Sequence, residues 1–201
     1  MTTTLLIQSE NIPLTVNLPT TAQMSLAEFY DFCQANRDLR IERTATGKVV
    51  IMPPAFSDTG NRNFNISAQL WNWAEQDGTG IGFDSSAGFT LPNGAIRSPD
   101  ASWIRLDRWN ALTDAEKASF APICPDFVIE LRSSSDTLVG LQEKMQEYID
   151  NGAVLGLLID RKNKTVHVYR PNQEPKILDN PEIVEGDPEL PGFGLRMAKI
   201  W

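Results

Sequence analysis

A carboxylate stands inside one of the most apolar segments of the chain. Glu130 lies within residues 127–131, where every other side chain is apolar. Alternate residues of a strand point to opposite faces, so Glu130 shares a face with Val128 and Arg132. A run this apolar predicts a strand buried on both faces, where an ionised carboxylate needs a cation or hydrogen-bond donors. Glu130 is thus either half of a structural ion pair, with Arg132 or another base, or a functional group.

A second carboxylate follows a proline in the strand-like stretch 95–106. Asp100 comes directly after Pro99. Proline within a strand marks an edge or a bulge, and bulges redirect side chains next to active sites. The alternative is that Asp100 caps a turn, and the same dipeptide recurs at residues 125–126.

A lysine lies beside the buried face of the third predicted helix, over residues 141–151. Lys144 is three residues after Leu141 and four before Tyr148, both in the apolar stripe of that helix. Its stem can therefore lie on the core and deliver its ammonium beside the preceding strand. The alternative is a surface lysine whose stem only covers apolar side chains.

Together these residue types suit one kind of chemistry. Two carboxylates on adjacent strands can hold a hard divalent cation through oxygen ligands. Such a cation polarises a phosphoryl oxygen and lowers the pKa of a bound water. A nearby lysine can position that water or balance charge in the transition state. The combination predicts metal-dependent hydrolysis of a phosphodiester.

The remaining chain supplies elements that could position these groups. Ser25 and Glu28 form a capping box before a helix that should end near Asn36. Further along, the patterns predict a hairpin (39–43 and 48–52), a polar loop (57–60), a helix ending at Gly78, strands near 81–85, 88–91 and 95–106, a helical insert (107–119), and a second hairpin (154–159 and 165–169).

This order of elements predicts an α/β fold with a mixed central sheet flanked by helices, because strands and helices do not alternate strictly. We expect an N-terminal arm over residues 1–23 and a single domain over 24–201. Within that domain, residues 171–201 are expected to form an extended acidic tail that packs on the rest, with Leu195 and Trp201 anchoring its end.

Composition limits the alternatives. The chain has 201 residues with 18 Lys and Arg against 26 Asp and Glu, a net charge of −8. This balance counts against a surface that binds phosphate everywhere, although it allows a local basic groove or a site whose metal supplies positive charge. No apolar run reaches the roughly 20 residues needed to cross a bilayer, and no secretion signal is evident. With only two cysteines, a reduced, cytoplasmic protein without membrane partners is expected.

The segments around these residues resemble a known family. Residues 97–103, 125–133 and 143–148, with 152–160 and 191–193, are similar to the Uma-type endonuclease family of the PD-(D/E)XK, restriction-endonuclease-like superfamily. The resemblance covers nearly all of the chain after about residue 24. It implies a restriction-endonuclease-like domain that uses Mg²⁺ or Mn²⁺.

The resemblance also assigns roles to residues. Asp100 matches the aspartate of the PD motif, and Glu130 matches the first residue of the (D/E)XK motif; both would bind the metal. Arg132 stands where the superfamily has a lysine, and the family places that role on Lys144. Arg132 is then expected to stabilise phosphate charge, and Glu42 to serve as an extra ligand or to hold water. Where many members have a histidine, this chain has residues 61–63, Asn-Arg-Asn.

The expected function is therefore metal-dependent endonucleolytic cleavage of DNA. Superfamily members often pair because two active sites can cut both strands, so a homodimer is expected by analogy. A catalytically inactive binding or assembly module of the same fold is the alternative, favoured by the net charge, the arginine at position 132 and the acidic tail. Hydrolysis of RNA or of a nucleotide is a third possibility.

Overall fold

The fold is described from a computed structural model, which covers residues 14–16, 24–52 and 54–201. Its helices in this part of the chain are α1 (Leu26–Ala35), α2 (Ser57–Asp77), α3 (Leu106–Asn110), α4 (Asp114–Lys117) and α5 (Leu138–Asp150), with a 3₁₀ turn at Met197–Lys199. Its strands are β1 (Leu14–Val16), β2 (Arg40–Arg43), β3 (Val49–Met52), β4 (Gly80–Asp84), β5 (Phe89–Thr90), β6 (Ile96–Arg97), β7 (Ala101–Arg105), β8 (Phe127–Leu131), β9 (Leu155–Asp160), β10 (Thr165–Tyr169), β11 (Lys176–Asp179), β12 (Ile183–Glu185) and β13 (Gly194–Arg196).

Two helix starts differ from the sequence-based expectation. The polar segment 57–60 is the first turn of α2 rather than a loop, and the residue before it, Phe56, makes no side-chain cap. Asp58 in this first turn forms an ion pair with Arg62 one turn later, and its charge suits the positive end of the helix dipole. Helix α5 begins at Leu138, because the Thr137 side chain caps it by accepting from the Gly140 amide.

A mixed sheet of six strands forms the centre of the fold, as expected. Its strand order is β11-β10-β9-β8-β7-β4. Strands β8 and β9 run parallel, and each of the other neighbouring pairs is antiparallel. Every residue of β8 is buried, which confirms the prediction that this strand is covered on both faces.

A second sheet has the order β1-β3-β2-β6-β5. Strand β2 meets β6 through the single pair Arg43 and Ile96. The chain then leaves the second sheet after β6 and enters the central sheet at β7. The stretch 95–106 is thus two strands and the start of α3 rather than one strand, and Asp100 lies at the junction between the two sheets.

Within residues 24–52 and 54–201, three apolar cores hold these layers together. The largest joins α2, the central sheet and the C-terminal segment, which contributes Val184, Leu190, Phe193, Leu195, Met197 and Ile200. A second lies under α5, and a third, much smaller, lies under α1 and the second sheet. The segment expected to be an extended tail therefore also supplies strands β11, β12 and β13 and part of the main core.

Most of the expected N-terminal arm lies outside the described residues. Within residues 1–23, the structure describes β1 alone, which pairs antiparallel with β3 at the edge of the second sheet. No helix in the described part of the chain is both long and apolar enough to cross a membrane.

Candidate active site

Glu130 faces helix α5. Its neighbours in β8 alternate: Val128 packs into the core under α5, and Ile129 packs into the core on the opposite face of the sheet. Glu130 is 4% exposed, and its Oε1 lies 2.7 Å from Lys144 Nζ and accepts a hydrogen bond from the Tyr148 hydroxyl at 3.1 Å. The ion partner of Glu130 is therefore Lys144 rather than Arg132.

A glycine of β9 allows α5 to lie close to the sheet at this point. Gly156 pairs with Val128, and a Cβ there would overlap the Met145 side chain of α5. Met145 and Tyr148 are both fully buried. The close approach places the side chains of Lys144 and Tyr148 within reach of Glu130.

Glu42 lies on the second sheet and meets the same lysine. Its Oε1 accepts hydrogen bonds from Lys144 Nζ at 2.9 Å and from the Ser98 amide at 3.0 Å. Its Oε2 accepts from Arg97 at 3.1 Å, and Arg97 Nε in turn donates to Glu147 of α5 at 2.6 Å. Lys144 therefore bridges a carboxylate of each sheet, and Glu42 is the group that holds it from the second sheet.

Both oxygens of the Asp100 carboxylate accept hydrogen bonds from neighbouring elements. Its Oδ1 accepts from the Asn63 side-chain amide of α2 at 3.0 Å, and its Oδ2 accepts from the Leu131 backbone amide at 2.8 Å. Arg40 of β2 lies 3.7 Å from Oδ1. Asp100 is 8% exposed, so these donors orient a carboxylate that is almost enclosed.

The carboxyl groups differ in how easily they ionise. Burial raises the pKa of Glu130 to about 7, and the nearby Asp100 and Glu42 act in the same direction, while Lys144 opposes them. Burial also raises the pKa of Asp100, although Arg40 and the Leu131 amide oppose the shift. Burial acts on Glu42 too, but Lys144 and Arg97 outweigh it and hold its pKa below the ordinary value.

The pKa values of the two groups beside Glu130, the Lys144 ammonium and the Tyr148 hydroxyl, are shifted as well. Burial disfavours the charged form of Lys144, but Glu130 and Glu42 outweigh it and raise its pKa. Burial, followed by the charges of Glu130 and Glu42, raises the pKa of Tyr148 well above its usual value. Lys144 is therefore a charged ammonium here, and Tyr148 is a neutral hydrogen-bond donor.

Three of the residues expected at the site line one cavity of about 210 Å³. They are Asp100, Glu130 and Lys144, and they come from β7, β8 and α5 or the residues next to them. Arg40 of β2 and Asn63 of α2 also line it. Glu42 lies behind Lys144, where it accepts two hydrogen bonds from cations.

Arg132 lies at the end of β8, but its guanidinium is engaged elsewhere. It forms an ion pair at 2.9 Å with Asp160, a fully buried carboxylate at the end of β9, and donates to the Asp136 carbonyl at 3.3 Å. It thus ties the end of β8 to the end of β9 and to the loop that leads into α5.

Four polar residues of the site were missed by the sequence reasoning: Arg40, Asn63, Arg97 and Tyr148. Asn63 lies in the segment where relatives were expected to carry a histidine, and it contacts Asp100 directly. A signal for Arg40 existed, since it lies two residues before Glu42 and therefore on the same face of β2. Nothing in the pattern around Arg97 or Tyr148 indicated a partner so distant along the chain.

The oxygen atoms at the cavity suit a hard divalent cation. Asp100 and Glu130 both line it, and among the described residues Glu130 Oε2 makes no hydrogen bond. The side-chain oxygen of Asn63 is also buried without a partner in that part of the chain. Carboxylate and amide oxygens are the ligands that Mg²⁺ and similar ions prefer. Within residues 24–52 and 54–201, no cluster of three or more His, Cys, Asp or Glu side chains is arranged to hold a metal ion.

Comparison with known proteins agrees with this architecture. A crystal structure described as that of "a putative nuclease belonging to DUF820" from Anabaena variabilis superposes with a TM-score of 0.67 at 20% identity, covering 80% of this chain and 88% of that one. At this identity the likeness shows a shared fold. No curated protein matches the chain. The model of the Uma2 family, described as "Putative restriction endonuclease", matches residues 26–198. This confirms the resemblance found in the sequence, and the chain therefore belongs to the Uma2 family.

Proposed function

We propose that this protein is a metal-dependent endonuclease that hydrolyses phosphodiester bonds of DNA. The observation that carries the proposal is the convergence of Asp100, Glu130 and Lys144 on one cavity. Membership of the Uma2 family supports the same reaction. Asp100 and Glu130 would hold Mg²⁺ or Mn²⁺, which when bound polarises a phosphoryl oxygen and lowers the pKa of a bound water.

The remaining site residues position the attacking water and stabilise charge on the phosphate. Lys144 presents a fixed ammonium to the cavity, where it orients the attacking water and offsets charge on the phosphate. Glu42 positions Lys144 by accepting its second hydrogen bond. Arg132 remains a candidate for stabilising phosphate charge, in competition with its ion pair to Asp160.

Cleavage of supercoiled plasmid DNA in Mg²⁺ or Mn²⁺ tests the proposal. We expect Glu130→Gln and Asp100→Asn each to lower the rate by about a hundredfold or more, where each tenfold step corresponds to about 1.4 kcal/mol of transition-state stabilisation. Glu143→Gln is the matched control, because Glu143 is an exposed residue of α5 and the change is chemically the same. Equal rates for wild type and both site variants would remove these carboxylates from the reaction.

Metal binding separates a nuclease from the alternative, a binding or assembly module of the same fold. Calorimetric titration with Mn²⁺ should show a site in the wild type that is weakened in Glu130→Gln. At about one hundred times the Kd, the metal should also raise the free energy of unfolding by about 2.7 kcal/mol. A protein that neither binds Mn²⁺ nor cuts DNA would favour the module, whereas cleavage of RNA or nucleotides alone would reassign the substrate.

A homodimer would present two such cavities to the two strands of one duplex, and we propose it as the active form. Sedimentation velocity should then show a dimer at the concentrations that cleave DNA. Linear plasmid should accumulate from the start of the reaction, without a lag during which only nicked plasmid forms. A monomer that only nicks would contradict this part of the proposal.

A further inference from the structure

Two cations, Arg40 and Lys144, are among the described residues that line the cavity. Lys144 is already neutralised, because its ammonium lies 2.9 Å from a Glu42 oxygen and 2.7 Å from a Glu130 oxygen. Its side chain is only 13% exposed. Lys144 can orient a small molecule beside it, but it has little charge left with which to bind an anion.

The other arginines nearby are committed to acidic partners. Arg97 pairs with Glu42 at 3.1 Å and with Glu147 at 2.6 Å. Arg132 pairs with Asp160 at 2.9 Å. Their side chains are 12% and 16% exposed, respectively. Both guanidinium groups therefore hold together the elements around the cavity.

Arg40 differs from all three. Its nearest carboxylate oxygen, on Asp100, is 3.7 Å away, which is too long for a hydrogen bond. Asp100 accepts its hydrogen bonds from Asn63 and Leu131 instead. Among the residues that the structure describes, the Arg40 side chain makes one hydrogen bond, from Nη2 to the Ser98 carbonyl at 3.0 Å, and it is 32% exposed.

One donor of Arg40 has no partner at all in the described part of the chain: its Nε atom is buried and unpaired. Buried donors are nearly always hydrogen-bonded in folded proteins, so an unpaired one beside a cavity points to a missing acceptor. A guanidinium offers its donors in a planar fork that matches two oxygens of a phosphate.

We propose that Arg40 binds the substrate phosphate, contacting two of its oxygens through the guanidinium fork, in the cavity that Arg40 lines together with Asp100 and Glu130. This inference rests on the proposed function, because it takes the phosphodiester as the ligand. Arg40, on the second sheet, then provides a phosphate contact in addition to the one proposed for Arg132.

Binding of a short fluorescein-labelled DNA duplex, followed by anisotropy in Ca²⁺ over a range of salt concentrations, tests the assignment. We expect Arg40→Gln to weaken binding about tenfold for unrelated sequences, and to reduce the slope of log K against log salt by about 1. Arg40→Lys should keep the slope but lose part of the affinity, because an ammonium cannot form the paired contact. The surface control Arg37→Gln should leave both quantities unchanged.

Other results would overturn the assignment. An unchanged salt slope in Arg40→Gln, or an equal reduction of the slope in Arg37→Gln, would contradict it. If Arg40 only offsets the charge of Asp100, Arg40→Gln will change the Mn²⁺ affinity and the unfolding temperature while the slope stays constant. Circular dichroism of each variant shows that the fold is kept.

Failure of this inference and failure of the nuclease proposal can be told apart. Wild type that binds the duplex with an Arg40-dependent slope but never cleaves DNA would overturn the nuclease and support phosphate binding by Arg40. Wild type that cleaves DNA while Arg40→Gln keeps the full slope would overturn the inference alone. Wild type without salt-dependent binding to the duplex would also overturn it.

Discussion

Glu130 makes the stability of the metal-free protein depend on pH. Burial raises the pKa of Glu130 to about 7, above the ordinary value of 4.5 that applies in the unfolded chain. The folded state therefore binds the extra proton, and its stabilising effect is fully present below pH 4.5 and is lost as the pH rises through about 7. In the presence of a chelator, we expect Glu130 to lower the free energy of unfolding progressively across this window.

Denaturant unfolding of wild type and Glu130→Gln at a series of pH values measures this contribution. The variant cannot ionise, so its stability relative to wild type should rise between pH 4.5 and about 7. Glu143→Gln, exposed on the same helix, should follow the wild type throughout. A difference between wild type and Glu130→Gln that does not vary with pH would show that Glu130 ionises normally.

Lys144 is predicted to stabilise the fold as well as to act in the site. Lys144→Met leaves Glu42 and Glu130 without the cation that they share, so we expect the free energy of unfolding to fall by about 3 kcal/mol. Mn²⁺ affinity should not fall, because the lysine is not a ligand, whereas cleavage should. Lys162→Met, on an exposed turn, serves as the control for loss of one charge.

Elements were easier to predict than their boundaries. The capping box of α1 is present, with Ser25 accepting from the Glu28 amide, and the helix ends at Asn36 as expected. These features are local, so a short stretch of sequence contains them. The strands of the C-terminal segment were missed because their partners are distant or the strands are short: β11 pairs with β10, and β12 with β13. Their stability comes from packing on the main core.

Replacing each of two glycines with alanine should change the stability of the fold in opposite directions. A Cβ at Gly80, in edge strand β4, would overlap the Trp103 ring and the Ile104 carbonyl oxygen, so Gly80→Ala should destabilise the fold by about 1–3 kcal/mol. Gly60, within α2, has open space around it, and Gly60→Ala should stabilise by about 0.5–1 kcal/mol. Thermal unfolding of both variants checks the signs, and a stabilised Gly80→Ala would mean that β4 can shift away from β7.

At the scale of the whole molecule, sequence could propose the site but could not assemble it. Hydrophobic patterning predicted that Glu130 would be buried, the local patterns made Asp100 and Lys144 candidates, and family likeness assigned roles to all three. The sequence does not show that Lys144 would meet Glu42, because the two are 102 positions apart and lie on different elements. Only the packing of α5 between the two sheets decides which cation faces which acid. The parallel pairing of β8 with β9 commits Arg132 to Asp160, and Arg40 lies beside the cavity.

The narrow junction between the two sheets affects how the protein should respond to heat and denaturant. Arg40 and Glu42 belong to a layer whose own core has four buried side chains among the described residues and whose β2–β6 ladder is a single pair. That layer has less apolar burial than the central sheet, so it should open at a milder stress. Cleavage should then disappear before the far-ultraviolet circular dichroism changes, and amides of β2 should exchange sooner than those of β8. The protein would lose the proposed activity by partial opening of one layer while most of its fold is intact.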